Sequence, residues 1–266
     1  MAPDRDGHDD ARAAEAGSRR EPTDAEREHR AGAVATWPRR LTAEAFGAFA
    51  LVFAAAGGDV MGQVSHDAVG VVARAVAPGL MVAALIYSIG DTSGAHFNPA
   101  VTFAFALKRL VPISWLPRYW VAQVIGAIAA AAVLRALFGG AIEAGVSRPK
   151  LVDPPAALAL EVILTLLLVS VILGTADRYR VVGPNAALAV GATIALCALI
   201  ALPIEGASMN PARSLGPALV AGQLADIWVY VLGPAIGAIL AVALTSFLHG
   251  PVAGDGKAEE AARGSR

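Results

Sequence analysis

Gly94-Ala95-His96-Phe97-Asn98-Pro99-Ala100-Val101-Thr102 and Gly206-Ala207-Ser208-Met209-Asn210-Pro211-Ala212-Arg213-Ser214 share one local design. In each, a short Gly-led loop ends in Asn-Pro-Ala and opens an apolar segment. Asn is a strong helix N-cap, and Pro is preformed for the first helical position, where its missing N–H loses nothing. One such tripeptide would mark only the start of a helix. Two copies, each in an apolar setting and each after a Gly-containing loop, ask for more. The segments run to about Lys108 and about Ala221. Helices of that length rise only ~15 Å, half of a ~30 Å hydrocarbon core. A lone half-span strands N–H and C=O groups at its open end in lipid. Two half-spans that enter from opposite faces and meet end to end make one full crossing.

Six longer apolar stretches surround them: roughly 41–60, 69–90, 115–138, 156–174, 185–203 and 226–248. Each is long enough to span a bilayer. The chain is 56% hydrophobic and 16% charged, where a soluble domain carries about 25% charge. Most of that charge lies in two tails. Residues 1–40 and 249–266 hold too little aliphatic bulk to offset their ordering entropy, which predicts disordered tails around a membrane domain at 41–248. No apolar run follows Arg19, Arg20, Arg27 and Arg30, so the N-terminal stretch does not read as a cleaved signal peptide. Arg39, Arg40, Lys108, Arg109, Arg118, Arg178 and Arg180 fall on the N-terminal side of the spans. Arg148, Lys150 and Arg213 fall on the other, offset by Asp59, Asp67, Glu143, Asp153 and Glu205. The positive-inside rule then puts both tails in the cytoplasm.

The membrane domain repeats, at about 41–138 and 156–248. Glu44 precedes the first Asn-Pro-Ala as Glu161 precedes the second, and Ser93-Gly94-Ala95-His96-Phe97 parallels Glu205-Gly206-Ala207-Ser208-Met209. Three spans per copy is an odd number, so the second copy enters upside down. An inverted repeat places its site near the midplane. There the two helix N-termini, each with roughly half a positive charge, would repel protons and cations and leave neutral solutes unaffected. The Asn carboxamides can cap their helices and still offer an N–H to a permeant oxygen. The loop carbonyls before each Asn would supply a ladder of acceptors.

The two stretches, the second running on through Leu215-Gly216-Pro217-Ala218, resemble the paired signatures of the aquaporin, or major intrinsic protein, family. Their wording is most similar to the nodulin-like intrinsic proteins, whose members pass glycerol, urea or undissociated metalloid acids as well as water. The resemblance covers about residues 41–248. It implies an all-α membrane protein with six transmembrane helices and two re-entrant half-helices, forming a passive channel in the plasma membrane. It implies no cofactor and no metal, a homotetramer in the lipid bilayer with one pore per subunit, and a small neutral permeant. By that resemblance Asn98-Pro99-Ala100 and Asn210-Pro211-Ala212 form the pore centre. The carbonyls of Gly94, Ala95, His96 and Phe97, and of Gly206, Ala207, Ser208 and Met209, line the two half-channels. Glu44 and Glu161 steady the re-entrant loops.

The family's selectivity filter lies outward of that centre and uses four positions: Arg213 and, by spacing, Pro78, Ala198 and Ala207. Water-selective members usually put Phe and His at the first two, and glycerol-type members bring aromatics of their own. Neither is present here. The acidic residue that follows the Arg in glycerol-type members is replaced by Ser214. A wide, largely apolar mouth is expected, passing solutes larger than water. Pro78 has a second reading as a plain helix kink, freeing the carbonyl of Arg74. Arg74 either adds a second positive group to the vestibule or snorkels to the headgroups. His96 is a pH gate or a loop-fixing hydrogen-bonder.

Other classes find little support. The net charge is −1 and no basic patch with interleaved aromatics invites nucleic acid. A single cysteine, Cys197, excludes an intrachain disulfide and a Cys-based metal cage. No nucleophile–base set or metal-ligand cluster suggests an enzyme. The alternative from another class is a secondary transporter, which also uses inverted repeats and broken helices; its coupling site would reduce to Glu44 and Glu161, either of which could carry a proton in the membrane.

Overall fold

The computed structural model describes residues 35–177, 185–249 and 257–264. The first repeat comprises α1 (Trp37–Val64), α2 (Val71–Ser93), the half-length α3 (Pro99–Leu107) and α4 (Leu116–Phe138). A 3-10 stretch, Gly139–Gly145, leads into the second: α5 (Pro154–Asp177), α6 (Ala186–Ala201), the half-length α7 (Pro211–Ala221) and α8 (Val229–His249). Proline stands in the first turn of α1, α3, α4, α5 and α7, where a missing N–H leaves no helical bond unmade. Among the described residues, five helices are long and apolar enough to cross a membrane, and α6 adds an apolar helix of 16 residues. The protein is an all-α, multi-pass membrane protein with six transmembrane helices and two re-entrant half-helices in an inverted repeat.

The repeat is visible in the packing. In the first half α1 packs on α4 and α2; in the second, α5 packs on α8 and α6. The halves then exchange their short helices, with α7 lying on α4 and α3 on α8, while α2 crosses α6. Lipid tails are as apolar as leucine, so these contacts depend on close packing rather than on expelling water. Small residues supply it. A Cβ on Gly126 of α4 would stand 2.0 Å from the Ala45 carbonyl oxygen of α1. At the α2–α6 crossing, a Cβ on Gly79 would meet the Gly191 oxygen at 2.3 Å, and one on Gly191 the Gly79 oxygen at 2.5 Å. Ala48, Ala56, Ala127, Ala130 and Ala131 are fully enclosed, whereas Leu80, Ile125, Ile163, Leu188 and Phe247 face outward.

Two boundaries differ from the sequence expectation. Helix α1 begins at Trp37 rather than near residue 41, because Arg40 is buried, its guanidinium 5.0 Å above the Trp115 ring. Within the expected C-terminal tail, Lys257–Arg263 form a short helix, α9. Its alanines favour helix, and Glu259 pairs with Arg263 one turn on at 3.1 Å. Residues 1–34, 250–256 and 265–266 of the two expected tails, and Arg178 and Arg180, lie outside the described residues. The face that carries Trp37 and His249 is called the tail face below.

Candidate functional site

The two Asn-Pro-Ala turns meet. Asn98 Oδ1 accepts the Ala100 N–H at 2.8 Å, capping α3; Asn210 Oδ1 accepts those of Ala212 at 3.0 Å and Arg213 at 3.3 Å, capping α7. Each amide then reaches across the repeat. Asn98 Nδ2 donates to the Met209 carbonyl at 2.8 Å, and Asn210 Nδ2 to the Phe97 carbonyl at 3.0 Å. A carboxamide nitrogen has two N–H groups, so each Asn keeps one pointing away from the carbonyl it binds.

The loops ahead of the caps are strained and clamped. Ala95, Phe97, Ala207 and Met209 have φ of 51°, 49°, 45° and 54°, left-handed values that cost a non-glycine residue ~1–3 kcal/mol each. A buried glutamate holds each pair in place. Glu44 accepts the His96 and Phe97 N–H groups at 3.0 and 2.8 Å, along with Ser93 Oγ at 2.6 Å and Gln123 Nε2 at 2.7 Å. Glu161 accepts the Ser208 and Met209 N–H groups at 2.6 and 2.7 Å. In a trans peptide the C=O points opposite to the next N–H. The carbonyls of Ala95 and His96, and of Ala207 and Ser208, therefore point away from the glutamates. All four residues line one cavity with about 680 Å³ of empty space.

Sequence reading missed the outer supports. Tyr119 donates its hydroxyl to the Ser93 carbonyl at 2.8 Å, and Tyr230 does the same to Glu205 at 2.6 Å. The two tyrosines follow their respective Asn-Pro-Ala turns at nearly equal distance within apolar helices, a repeat signal that could have found them. Glu205, read as a loop charge, is fully buried and accepts the Ala207 N–H at 2.9 Å. His96 is fixed rather than free: Nδ1 meets Thr102 Oγ1 at 3.0 Å and Nε2 meets the Ala262 carbonyl of α9 at 2.9 Å.

Pro78, Ala198, Ala207 and Arg213 all line the cavity, together with Asn98, Asn210, Phe97, Gly206 and Met209. Arg213 is buried; its Nη1 donates to Ser147 Oγ and, at 3.4 Å, to the Gly145 carbonyl, and its Nη2 lies 3.6 Å from Asp59. Arg74 lines the same cavity, 4.0 Å from Asp59 and 3.4 Å from Asp67. Gly94 lines a second cavity toward the tail face, walled partly by Glu260, Ala261 and Gly264. Ala100 and Ala212 point elsewhere. Ala100 joins a buried cluster with Ala238 and Ala241, and Ala212 one with Val52 and Ala56.

The profile of the family described as Major intrinsic protein matches residues 33–245. The chain belongs to the major intrinsic protein family. This family member is 44% identical over 201 residues to Aquaporin NIP1-1 of Oryza sativa subsp. japonica, covering 76% of its own length and 71% of that relative's. It is 43% identical over 235 residues to Aquaporin NIP1-1 of Zea mays, covering 88% and 82%. Nodulin-26 of Glycine max is 40% identical over 201 residues, covering 76% and 74%. Among solved structures, the aquaglyceroporin from Plasmodium falciparum superposes with a TM-score of 0.72 at 21% identity, over 81% of this chain and 98% of that one. Family membership makes this protein a channel and sets aside both the coupled transporter and an enzyme.

Proposed function

We propose that this family member is a passive channel for small uncharged solutes larger than water, among them glycerol, urea and undissociated metalloid acids such as boric or arsenous acid, as well as water itself. The observation that carries the reading is the reciprocal pair of bonds from Asn98 to the Met209 carbonyl and from Asn210 to the Phe97 carbonyl. It brings the N-termini of α3 and α7 together beside a cavity that both asparagines line. Two converging positive helix ends oppose cations and protons, and leave neutral molecules to exchange hydrogen bonds with amides and carbonyls.

In this reading Asn98 and Asn210 face the pore centre, Pro99-Ala100 and Pro211-Ala212 start the half-helices behind them, and Pro78, Ala198, Ala207 and Arg213 form the filter. Three of those four are small or apolar, so one guanidinium is the main polar group at the ring and width favours larger solutes. The loop carbonyls are the acceptors, and Glu44 and Glu161 are braces, since both oxygens of each carboxylate already hold backbone N–H groups. The channel domain spans 41–248. The proposal extends to a homotetramer in the plasma membrane with both termini cytoplasmic; Arg39, Arg40, Lys108, Arg109 and Arg118 on the tail face support that orientation.

Stopped-flow swelling of proteoliposomes, solute by solute, tests it. Glycerol, urea and boric acid are expected to enter well above the rate of bare lipid. A Pro78→Phe, Ala198→His double variant is expected to lower glycerol relative to water by ~10-fold. Conduction of water with exclusion of all three larger solutes overturns the substrate reading.

A further inference from the structure

One face of α1 near the end away from the tail face carries Gly58, Asp59 and Gly62. The Asp59 side chain is only 7% exposed, within a helix bound for lipid, and it is held between two arginines. Its Oδ2 lies 3.6 Å from Arg213 Nη2 and its Oδ1 4.0 Å from Arg74 Nη1. The neighbouring glycines make the slot. Arg74 Cα and Cβ stand 3.5 and 3.6 Å from where a Gly58 Cβ would be, and its Nη1 2.3 Å from where a Gly62 Cβ would be, so any side chain at Gly62 displaces the guanidinium. The other end of Arg74 reaches Asp67, whose side chain is 78% exposed and solvated. Both arginines line the cavity that also holds Pro78, Ala198 and Ala207.

We propose that Asp59 is a further specificity-determining residue, a positioning group that holds the Arg213 guanidinium against the wall and so sets the width of the mouth. The inference rests on the filter reading given above. At a ring of Pro, Ala and Ala, the aperture depends on where one long cationic side chain lies. Gly145 O and Ser147 Oγ offer Arg213 neutral acceptors, whereas Asp59 offers a full counter-charge. A buried guanidinium that loses its counter-charge is strongly disfavoured and turns to the nearest water, here the lumen. Arg74 competes for the same carboxylate, so the two arginines set each other's reach. The solutes that gain from a retracted Arg213 are neutral and carry several oxygens, such as polyols.

The test is the ratio of glycerol to water permeability in proteoliposomes of the full-length protein, with thermal unfolding in detergent run alongside. Asp59→Asn is expected to lower the ratio by ~5–10-fold, and Asp59→Glu to restore most of it. Arg74→Gln, which removes one competitor and leaves Asp59 to Arg213 with Lys150 nearby, is expected to keep or raise the ratio. A ratio unchanged in Asp59→Asn, or an equal fall for both solutes, overturns the proposal. So does an equal loss in Arg74→Gln and Asp59→Asn, which would assign the effect to vestibule charge in general. Should Asp59→Asn fail to fold, the Asp59→Glu and Arg74→Gln ratios decide. The Pro78→Phe, Ala198→His variant separates the two readings. If it shifts the ratio and the Asp59 series does not, the filter stands and the role of Asp59 falls; if it does not, both fall.

Discussion

At the residue scale, Glu44 shows how a charge survives at membrane depth. Its two oxygens take four donors: the Ser93 hydroxyl, two backbone N–H groups and the Gln123 amide. An amide in its place offers one acceptor oxygen and turns an NH2 toward two of those donors. Glu44→Gln is therefore expected to lower stability by at least ~2 kcal/mol, from lost charged hydrogen bonds and orphaned buried donors. Thermal unfolding in detergent measures it, and swelling rates should fall for every solute alike, since the carboxylate braces the loop and touches no permeant. The sequence announced this pair of glutamates through the repeat, because symmetry was visible in one dimension. It concealed Asp59, Tyr119 and Glu205, whose importance comes from what folding places opposite them. An acidic residue near a helix end reads as a loop charge until Arg74 and Arg213 close around it.

At the element scale, helix spacing depends on a few positions without side chains. The α1–α4 contact closes at Gly126, where a Cβ would lie 2.0 Å from backbone oxygen, and no rotamer change relieves a clash with backbone. Gly140, in the 3-10 stretch beyond α4, has no atom within 4 Å of its own Cβ position. Gly126→Val is expected to separate the helices and cost ~1–3 kcal/mol or more, while Gly140→Ala is expected to be near neutral. Melting temperatures of the two variants, purified side by side, check this. The eight helices of the membrane domain were legible, since apolar length and Asn-Pro starts are local properties; α9, inside an expected tail, was not. The Gly79–Gly191 crossing was not legible either, because neither glycine indicates alone which backbone it must admit. The start of α1 was misread for a similar reason: Arg39 and Arg40 look like a stop signal until Trp115 appears beneath Arg40.

At the scale of the whole molecule, α9 forms part of the wall of the second cavity, toward the tail face. Its Ala262 carbonyl meets His96 Nε2, Arg263 Nε donates to the Leu110 carbonyl at 3.1 Å, and Glu260, Ala261 and Gly264 help wall the inner cavity beside Gly94. Removing residues 257–266 is expected to raise permeability for water and glycerol by a common factor, leaving their ratio unchanged, because the proposed filter lies at the other end. Swelling assays on the truncated protein check it; equal rates in the two proteins would deny the helix any part in conduction. Nothing in a short run of Lys, Ala, Glu and Arg foretold its docking, since its partners lie far back in the chain. The reciprocal asparagine bonds bear on how such a chain is made. Asn98 and the oxygen it grips are separated by 111 positions, so a nascent polypeptide leaving the ribosome carries its first re-entrant turn unfinished until most of the later spans have arrived. The proposed waist can close only as one of the last acts of assembly, and a chain interrupted midway has nothing to close it with.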